Sequence, residues 1–433
     1  MFIAVTGCKK DDHKLAIPAT SGYGADIPLS YFNLALKLTK EGPGFSPPVA
    51  ARTFGYIGLA LYEAVVPGEP DYQSLQGQLS GFPRGIVTQP ESGQAYNWEI
   101  VANSAMSFIL QVMYRNASKE NLEAIKILEA DNLTRISSTE NPEIKNRSEY
   151  FGRRVARDIW LYAASDGQEF CYNDNFPMSF TPPSGNGFWT ATPPAFQRAL
   201  QPYWGAVRTF VPANVSVAAK GHPDYSTSLG SIFYEEGKEV FEVVKTLSPE
   251  QKIIAEFWSD DPGKTATPPG HSISIALQVL EKETADLMLA AETFAKVGMG
   301  VHDAFVSCWK SKYDYNLLRP VTYVQAVFDP AWKPHLPTPP FPEYPSGHSV
   351  QSGAAAEILT GLFGGAYAFT DNTHLERTDI DGSPRAFASF FEAADEAAIS
   401  RLYGGIHFKA AIEDGVNQGR KIGENINQLV FKP

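Results

Sequence analysis

Apolar residues recur at intervals of three and four positions through most of the chain, and this spacing limits the fold more than any other feature. It runs through segments between residues 30 and 167 and again between 228 and 315. Such spacing is typical of amphipathic helices. Runs that alternate apolar and polar residues, as strands do, are scarce. The sequence therefore predicts an all-α fold with long loops rich in proline and aromatic residues.

Two long segments interrupt this pattern. The first, from Gln168 to Asn214, contains "GFWTATPPAFQRALQPYWG" and is typical of a functional loop or a covering arm. The second, from Asp329 to Pro345, is so rich in proline that no helix or central strand can pass through it. Helices are expected to resume near 347–364, 387–403 and 407–429.

Two helical stretches that lie 240 residues apart resemble each other. "RTFGYIGLALYEAV" at 52–65 aligns with "ETFAKVGMGVHDAF" at 292–305 without gaps. Either two amphipathic helices are similar by chance, or a helical bundle is duplicated. We expect two packed bundles: a tether at 1–28, an N-terminal scaffold bundle at 29–240, and a C-terminal bundle at 241–433 that carries the functional site.

Charge and hydropathy exclude several classes of partner. The formal net charge is -12 over 433 residues, which argues against nucleic acid or an anionic membrane surface. No apolar run reaches the roughly 18–20 residues that span a bilayer. Nothing in the sequence indicates a protein partner or an oligomeric state.

The three cysteines do not form a disulfide framework, and the sequence does not decide whether Cys171 and Cys308 pair. Cys8 differs because "VTGC" followed by "KKDD" resembles the lipobox of bacterial lipoproteins. The apolar segment before it is short and has no basic start, so a complete signal would require a longer leader. The alternative is an ordinary cysteine. The resemblance implies a bacterial protein that is exported to the periplasm or cell surface and lipid-anchored at Cys8.

Three short stretches contain residues suited to bind an oxyanion. They are "KSKYDYNLLRP" with Lys312 and Arg319, "YPSGH" with Ser346, Gly347 and His348, and "SRLYGGIH" with Arg401 and His407. Guanidinium groups and an ammonium bind oxyanions, and the first amides of a helix that begins after Pro345 would face the same anion. Two histidines remain for acid–base or ligand roles.

Together these stretches resemble the motifs of the superfamily that unites type-2 phosphatidic acid phosphatases with vanadium-dependent haloperoxidases. The resemblance implies a helical bundle that holds phosphate or vanadate. It assigns the equatorial oxygens to Lys312, Arg319, Ser346, Gly347 and Arg401, the bond to the central atom to His407, and apical acid–base work to His348. Catalysis would then depend on His348, Lys312 and His407.

The resemblance to bacterial haloperoxidases extends to "GFWTATPP", "LQPYWG" and "FWSDDPGKTATPPGHS". Trp309 and Phe341 lie where haloperoxidases have halide-pocket residues, although core or loop packing also explains them. This implies a vanadate cofactor, with no haem or flavin, and a reaction between halide and hydrogen peroxide. Iodide is the expected halide and bromide the next candidate, because iodide is the easiest to oxidise. The product would be hypohalous acid, with a diffusing organic acceptor.

Two alternatives remain open: an acid phosphatase that acts through a phosphohistidine, and a non-catalytic, anion-binding surface lipoprotein. In many phosphatases of the superfamily an Asp four residues after the third-motif histidine orients its ring, but that position here is Ala411. Glu413 and Asp414 follow, about two turns away. A histidine without a carboxylate partner is less basic, which argues weakly against the nucleophilic role.

Overall fold

A computed structural model describes residues 18–433, and these residues form thirteen α-helices and one small sheet. The helices are α1 (Asp26–Glu41), α2 (Pro47–Val65), α3 (Trp98–Met113), α4 (Lys119–Ile136), α5 (Pro142–Ala164), α6 (Ile232–Lys245), α7 (Pro249–Phe257), α8 (Thr267–Lys282), α9 (Leu287–Tyr315), α10 (Pro320–Val327), α11 (Gly347–Phe363), α12 (Phe390–Tyr403) and α13 (Lys409–Asn427). Strands β1 (Phe369–Asp371) and β2 (Arg385–Phe387) pair antiparallel, with Phe369 opposite Phe387. The prediction of an all-α fold is confirmed.

Local sequence explains where the helices begin and end. The Asn141 side chain caps α5 by accepting from the Glu143 amide, and Pro142 occupies the first turn, where no amide is needed. The Asp286 carboxylate caps α9 in the same way. That helix ends at Asn316, whose left-handed backbone (φ 49°) suits asparagine better than most residues.

Helix α9 is the central helix, and it packs against α2, α8, α11 and α13. Its closest partner is α2, although the two come from opposite halves of the chain. A Cβ at Gly298 would lie 2.6 Å from the Phe54 carbonyl oxygen, and a Cβ at Gly58 would meet the Phe294 carbonyl oxygen. These four residues are equivalent pairs in the alignment of 52–65 with 292–305, so the contact is reciprocal. A duplicated bundle related by an approximate twofold axis would give this arrangement.

Helix α2 and the residues that follow it, Pro47–Gly68, are long and apolar enough to cross a membrane, but every residue of the apolar window is buried inside the protein. It is therefore a core helix. The thiols of Cys171 and Cys308 are also buried, and neither forms a disulfide. Cys8 and its lipobox-like neighbours lie outside the described residues. The division at residue 240 stays a prediction, and α9 packs against helices of both halves.

The segment from Gln168 to Asn214 covers the end of α9 and the proline-rich loop, as a covering arm would. Its Leu200 amide donates to the Pro340 carbonyl at 2.9 Å, and the Leu200 carbonyl accepts from the Trp309 indole at 3.2 Å. Buried Asp303 on α9 anchors the end of the arm by accepting from the amides of Phe210 at 2.6 Å and Val211 at 2.9 Å.

Candidate active site

Three chain segments bring the predicted residues together at one end of α9 and α11. Lys312 lies near the C-terminal end of α9, and the left-handed turn at Asn316 returns the chain so that Arg319 immediately precedes α10. The start of α11 carries the Ser-Gly-His stretch, and Arg401 lies in the last turn of α12. His407 lies in the short connection between α12 and α13. Each of these residues is positioned by a helix end, where backbone groups are free to bind ligands.

His407 is held between a carboxylate and a guanidinium. Its Nδ1 lies 2.7 Å from Glu343 Oε1, and its Nε2 lies 3.2 Å from Arg319 Nη1. Because a carboxylate accepts and a guanidinium donates, these contacts assign the proton to Nδ1 and the lone pair to Nε2. Burial lowers the pKa of His407 well below its usual value, and Arg319, Lys312 and Arg401 lower it further. The ring is therefore neutral, with Nε2 suited to bind an electrophilic centre.

Glu343 supplies the carboxylate that is missing at Ala411. Its Oε1 also accepts from the Phe408 amide at 2.9 Å, while Oε2 has no partner in the protein. Burial raises the pKa of Glu343 to about 8, against the opposing effect of Arg319 and Lys312. The pairing of Glu343 with His407 matches the arrangement in which a carboxylate fixes the tautomer and orientation of a ligating histidine.

Arg319 is completely buried and keeps one donor group free. Its Nε donates to the Phe341 carbonyl and its Nη1 to the Ile406 carbonyl, both at 2.8 Å, but Nη2 has no partner. Burial lowers the pKa of Arg319 to about 10, opposed by Glu343. An unpaired guanidinium nitrogen in a buried site is costly, so an anion at this position would be stabilised.

Lys312 differs from the expectation in one respect. Its ammonium donates to the carbonyls of Pro342 at 3.0 Å, Glu343 at 2.9 Å and Pro345 at 2.5 Å. An ammonium has three donors, so all of them are used by the backbone. Burial lowers the pKa of Lys312 to about 7. Lys312 therefore fixes the loop that carries Glu343, and it would reach an oxyanion only by giving up one of these carbonyls.

The start of α11 offers backbone donors. The Ser346 amide donates to the Ala411 carbonyl at 3.0 Å, and the Ser346 hydroxyl accepts from the Ser349 amide at 3.3 Å. This leaves the amides of Gly347 and His348, which neither the cap nor the helix satisfies. A Cβ at Gly347 would lie 3.5 Å from the Trp309 ring and 4.0 Å from Lys312 Cε. Gly347 thus leaves open the space between these side chains.

Arg401 is fixed by Ser400, whose hydroxyl accepts from Nε at 2.9 Å, and by the Ala255 carbonyl, which accepts from Nη2 at 3.1 Å. Burial lowers the pKa of Arg401 to about 10, while Asp260 and Asp261 raise it. These two carboxylates balance part of the charge of Arg401, so three cations can occupy one buried site.

His348 lies where the buried site meets a cavity. The cavity has a volume of about 610 Å³, and His348 and Phe341 are among the residues that line it. The His348 Nε2 atom has no partner in the protein. Burial lowers the pKa of His348 well below its usual value, and Arg401 lowers it further. A neutral imidazole with a free nitrogen can accept a proton from a ligand that enters through the cavity.

Two aromatic rings form one wall of the site. The ring centroids of Trp309 and Phe341 are 5.0 Å apart, and Phe341 lies 4.8 Å from the Arg319 guanidinium and 5.0 Å from the Lys312 ammonium. Aromatic side chains beside buried cations create an apolar, positively charged environment. Such a surface suits a large, weakly hydrated anion.

The residues fit an oxyanion, and vanadate in particular. Unpartnered donor and acceptor atoms on Arg319 and His348 lie around the free Nε2 of His407, and burial lowers the pKa of all three cations. An anion would satisfy the free donors and restore the charge of the cations. The donor set, one imidazole nitrogen with the oxygens in hydrogen bonds, is that of an oxyanion bonded to histidine.

Sequence reasoning missed Glu343 because it looked for a carboxylate after His407, although the glutamate lies inside the quoted "PEYPSGH". It also missed Asp260, which balances Arg401. His374, taken from the sequence as exposed, is 1% exposed and lies beside His271. The other predicted residues lie around the single site described above.

Comparisons with known proteins agree with this geometry. Residues 292–432 match the family model described as the VCPO second helical-bundle domain. A stretch of 220 residues is 26% identical to vanadium chloroperoxidase from Curvularia inaequalis, and it covers 37% of this chain and 36% of that protein. The match thus spans about a third of the fungal enzyme.

Solved structures give longer matches. The crystal structure of a bacterial vanadium-dependent iodoperoxidase is 34% identical, covers 95% of this chain and 98% of its own, and has a TM-score of 0.85. The holo form of a bacterial vanadium-dependent chloroperoxidase is 18% identical, covers 90% of this chain and 92% of its own, and has a TM-score of 0.68. At that identity the second match establishes the fold alone.

Proposed function

The chain belongs to the vanadium-dependent haloperoxidase family, and we propose that it binds vanadate and oxidises iodide with hydrogen peroxide to hypoiodous acid, with bromide as a poorer substrate. The observation that carries the proposal is the convergence of Lys312, Arg319 and Arg401 on a neutral His407, whose pKa all three lower. Such a site needs an anion. The aromatic wall beside it gives a reason for a halide in addition to an oxyanion.

We assign the bond to the cofactor to His407 Nε2, because its lone pair faces Arg319 and its Nδ1 proton is held by Glu343. Arg319, Arg401, Ser346 and the Gly347 amide would hold the oxygens. These donors are fixed by the fold before any ligand binds, so they need little reorganisation. Bound vanadate makes a peroxide oxygen electrophilic toward a halide.

We assign the proton transfers to His348 Nε2. This atom is free, and its ring is neutral because burial and Arg401 lower its pKa. When peroxide enters through the cavity of about 610 Å³, Nε2 would accept a proton from it. The same nitrogen would return the proton to the oxygen that leaves as water or hydroxide.

Trp309 and Phe341 would form the halide side of the site. The Trp309 indole is fixed by the Leu200 carbonyl, and Phe341 lies over Arg319. Iodide is large and weakly hydrated, so an aromatic wall beside cations accommodates it at little desolvation cost. The iodide preference is further supported by the 34% identity to a protein described as an iodoperoxidase.

A halide comparison tests the proposal. The protein, reconstituted with vanadate, should produce triiodide from iodide and peroxide, brominate more slowly, and lose both activities when vanadate is removed. Without vanadate, hydrolysis of p-nitrophenyl phosphate should be weak. Activity on the phosphate ester alone would contradict the proposal, and vanadate binding without any turnover would favour the non-catalytic anion-binding alternative.

A phosphatase remains the second candidate because of Glu343. A carboxylate at His407 Nδ1 raises the nucleophilicity of Nε2, as attack on phosphorus would require. In that reaction His407 would form a phosphohistidine and His348 would protonate the leaving alkoxide. Trapping of labelled phosphate on His407 during ester hydrolysis would support this alternative.

We also propose export and lipid anchoring at Cys8, which the lipobox-like "VTGC" supports. Metabolic labelling with a fatty acid in a bacterial host should label the wild-type protein and not Cys8→Ser. Equal labelling of both, or of neither, would contradict the anchor.

A further inference from the structure

Behind the oxyanion site lies a second cluster of buried ligand-type side chains, which the proposed reaction does not use as ligands. Asp260, His271 and His374 each offer one ligand atom, and these atoms all lie within 4.8 Å of one another. The three residues are 2%, 3% and 1% exposed. They come from three places in the chain: the loop after α7, the start of α8 and the loop after β1. The fold therefore assembles the cluster from distant positions.

Two of the facing atoms have no hydrogen-bond partner. His374 Nε2 and Asp260 Oδ1 lie 3.3 Å apart, and neither makes a hydrogen bond with the protein. Two donors that lie about 2.0–2.1 Å from one tetrahedral ion are about 3.3 Å apart. His271 Nδ1 completes the group at 2.9 Å from Asp260 Oδ2. The spacing is thus that of ligands around a common ion.

The remaining contacts of His271 match those of a metal ligand. Its Nε2 lies 2.7 Å from Asp371 Oδ2, and the Asp371 carboxylate is fixed by the Thr373 amide at 2.9 Å. Metal-ligating histidines commonly donate their second ring nitrogen to a carboxylate, which orients the ring and makes the ligand more basic. The Trp258 indole stacks on the His271 ring at a centroid distance of 4.5 Å and fixes its plane.

One face of the cluster is open. A cavity of about 680 Å³ is lined by all three residues and by polar neighbours such as Thr265, Asn372 and Arg377. Two imidazoles and one carboxylate leave a fourth position of a tetrahedral ion for water or a small ligand. This cavity lies on the other side of the Asp260 loop from the cavity that reaches His348, which Asp260 also lines.

We propose that Asp260, His271 and His374 bind a divalent transition-metal ion, with Zn²⁺ as the first candidate, and leave one coordination position open to the cavity. Neutral imidazole and carboxylate ligands suit Zn²⁺ and ions of similar size better than Ca²⁺ or Mg²⁺, which prefer oxygen ligands. The ion must displace any proton that His271 holds at Nδ1 between the two carboxylates. A metal-free ion cluster is the competing explanation, and it leaves His374 Nε2 and Asp260 Oδ1 unpaired.

Titration with Zn²⁺ tests the site. Tag-free protein is stripped of metal with a chelator, loaded with vanadate to occupy His407, and titrated with Zn²⁺ by calorimetry. We expect one saturable site. Asp371→Asn should weaken it about 10–100-fold, as loss of a carboxylate that orients a ligand does. His374→Ala should weaken it more, because a ligand itself is lost.

His335→Ala is the matched control, because His335 is also a histidine paired with a glutamate, Glu256 at 3.0 Å, but lies away from the cluster. It should bind Zn²⁺ as the wild type does. Absence of a saturable site in the wild type, or equal affinity in wild type and His374→Ala, would overturn the proposal. If His374→Ala does not fold, Asp371→Asn and the visible absorption of bound Co²⁺ decide in its place. The titration needs neither halide nor peroxide, so its outcome is independent of haloperoxidase activity.

Discussion

Replacement of Glu343 by glutamine tests how the site holds His407. The substitution keeps the size of the side chain and removes its charge. In the wild type, Oε1 accepts from His407 Nδ1 at 2.7 Å and from the Phe408 amide at 2.9 Å. Glutamine can keep these contacts through its carbonyl oxygen, but only as neutral hydrogen bonds.

The size of the effect follows from the bond type. Hydrogen bonds to charged groups contribute about 1.5–3 kcal/mol and neutral ones about 0.5–1.5 kcal/mol, so the loss is about 1–1.5 kcal/mol. That is close to a tenfold change in affinity. The new amide group would also replace Oε2, which has no partner and lies in a site rich in donors. We therefore expect vanadate to bind about 10–100-fold more weakly to Glu343→Gln.

The assay is equilibrium binding of vanadate to metal-free protein, followed by iodide oxidation at saturating vanadate. Glu413→Gln is the control, because it makes the same chemical change at an exposed position that carries only a 3.8 Å ion pair with Lys409. Its affinity should equal that of the wild type. If folded Glu343→Gln binds vanadate within twofold of the wild type, the assignment of Glu343 as the residue that positions His407 is wrong.

Three further substitutions test other parts of the structure. His407→Ala should abolish iodide oxidation and phosphate-ester hydrolysis alike, and turnover retained in either assay would contradict the site. Gly298→Ala should destabilise the protein by about 1–3 kcal/mol in urea unfolding, because its Cβ would lie 2.6 Å from the Phe54 carbonyl oxygen, whereas Gly24→Ala has nothing within 4 Å and should not. Burial raises the pKa of Asp303 to about 7, so folding takes up a proton between about pH 4 and 7 and wild-type stability falls as pH rises through that range. Asp303→Asn should remove this fall, on the order of 2 kcal/mol, and an unchanged pH dependence would refute the assignment.

Much of the fold and site could be predicted because the signals are local. Pro345 and Ser346 predict the start of α11, and α11 begins at Gly347 with the Ser346 side chain as its cap. The proline-rich loop and the period of the helices are equally local. The positions of the superfamily motifs then indicated which helix ends would meet.

The parts that could not be predicted depend on contacts between distant positions. Glu343 and His407 are 64 residues apart, and no spacing rule links them. His271 meets Asp371 across 100 residues, so His271 and His374 could only be taken one at a time. The donors of Lys312 were assigned to an oxyanion because motif positions do not show which backbone carbonyls lie nearby.

The role of Glu343 changes what distinguishes the two enzymatic candidates. The chemistry of His407 requires a carboxylate at Nδ1, and that carboxylate can come from any part of the chain that reaches it. Ala411 therefore carries no information about the reaction, although it first argued against a nucleophilic histidine. Both reactions use the same cations and the same helix start, so these residues do not separate the reactions either. The difference must lie on the outward side of the bound anion, where Trp309 and Phe341 give a halide a place beside the cations and a phosphatase would need room for its leaving alcohol.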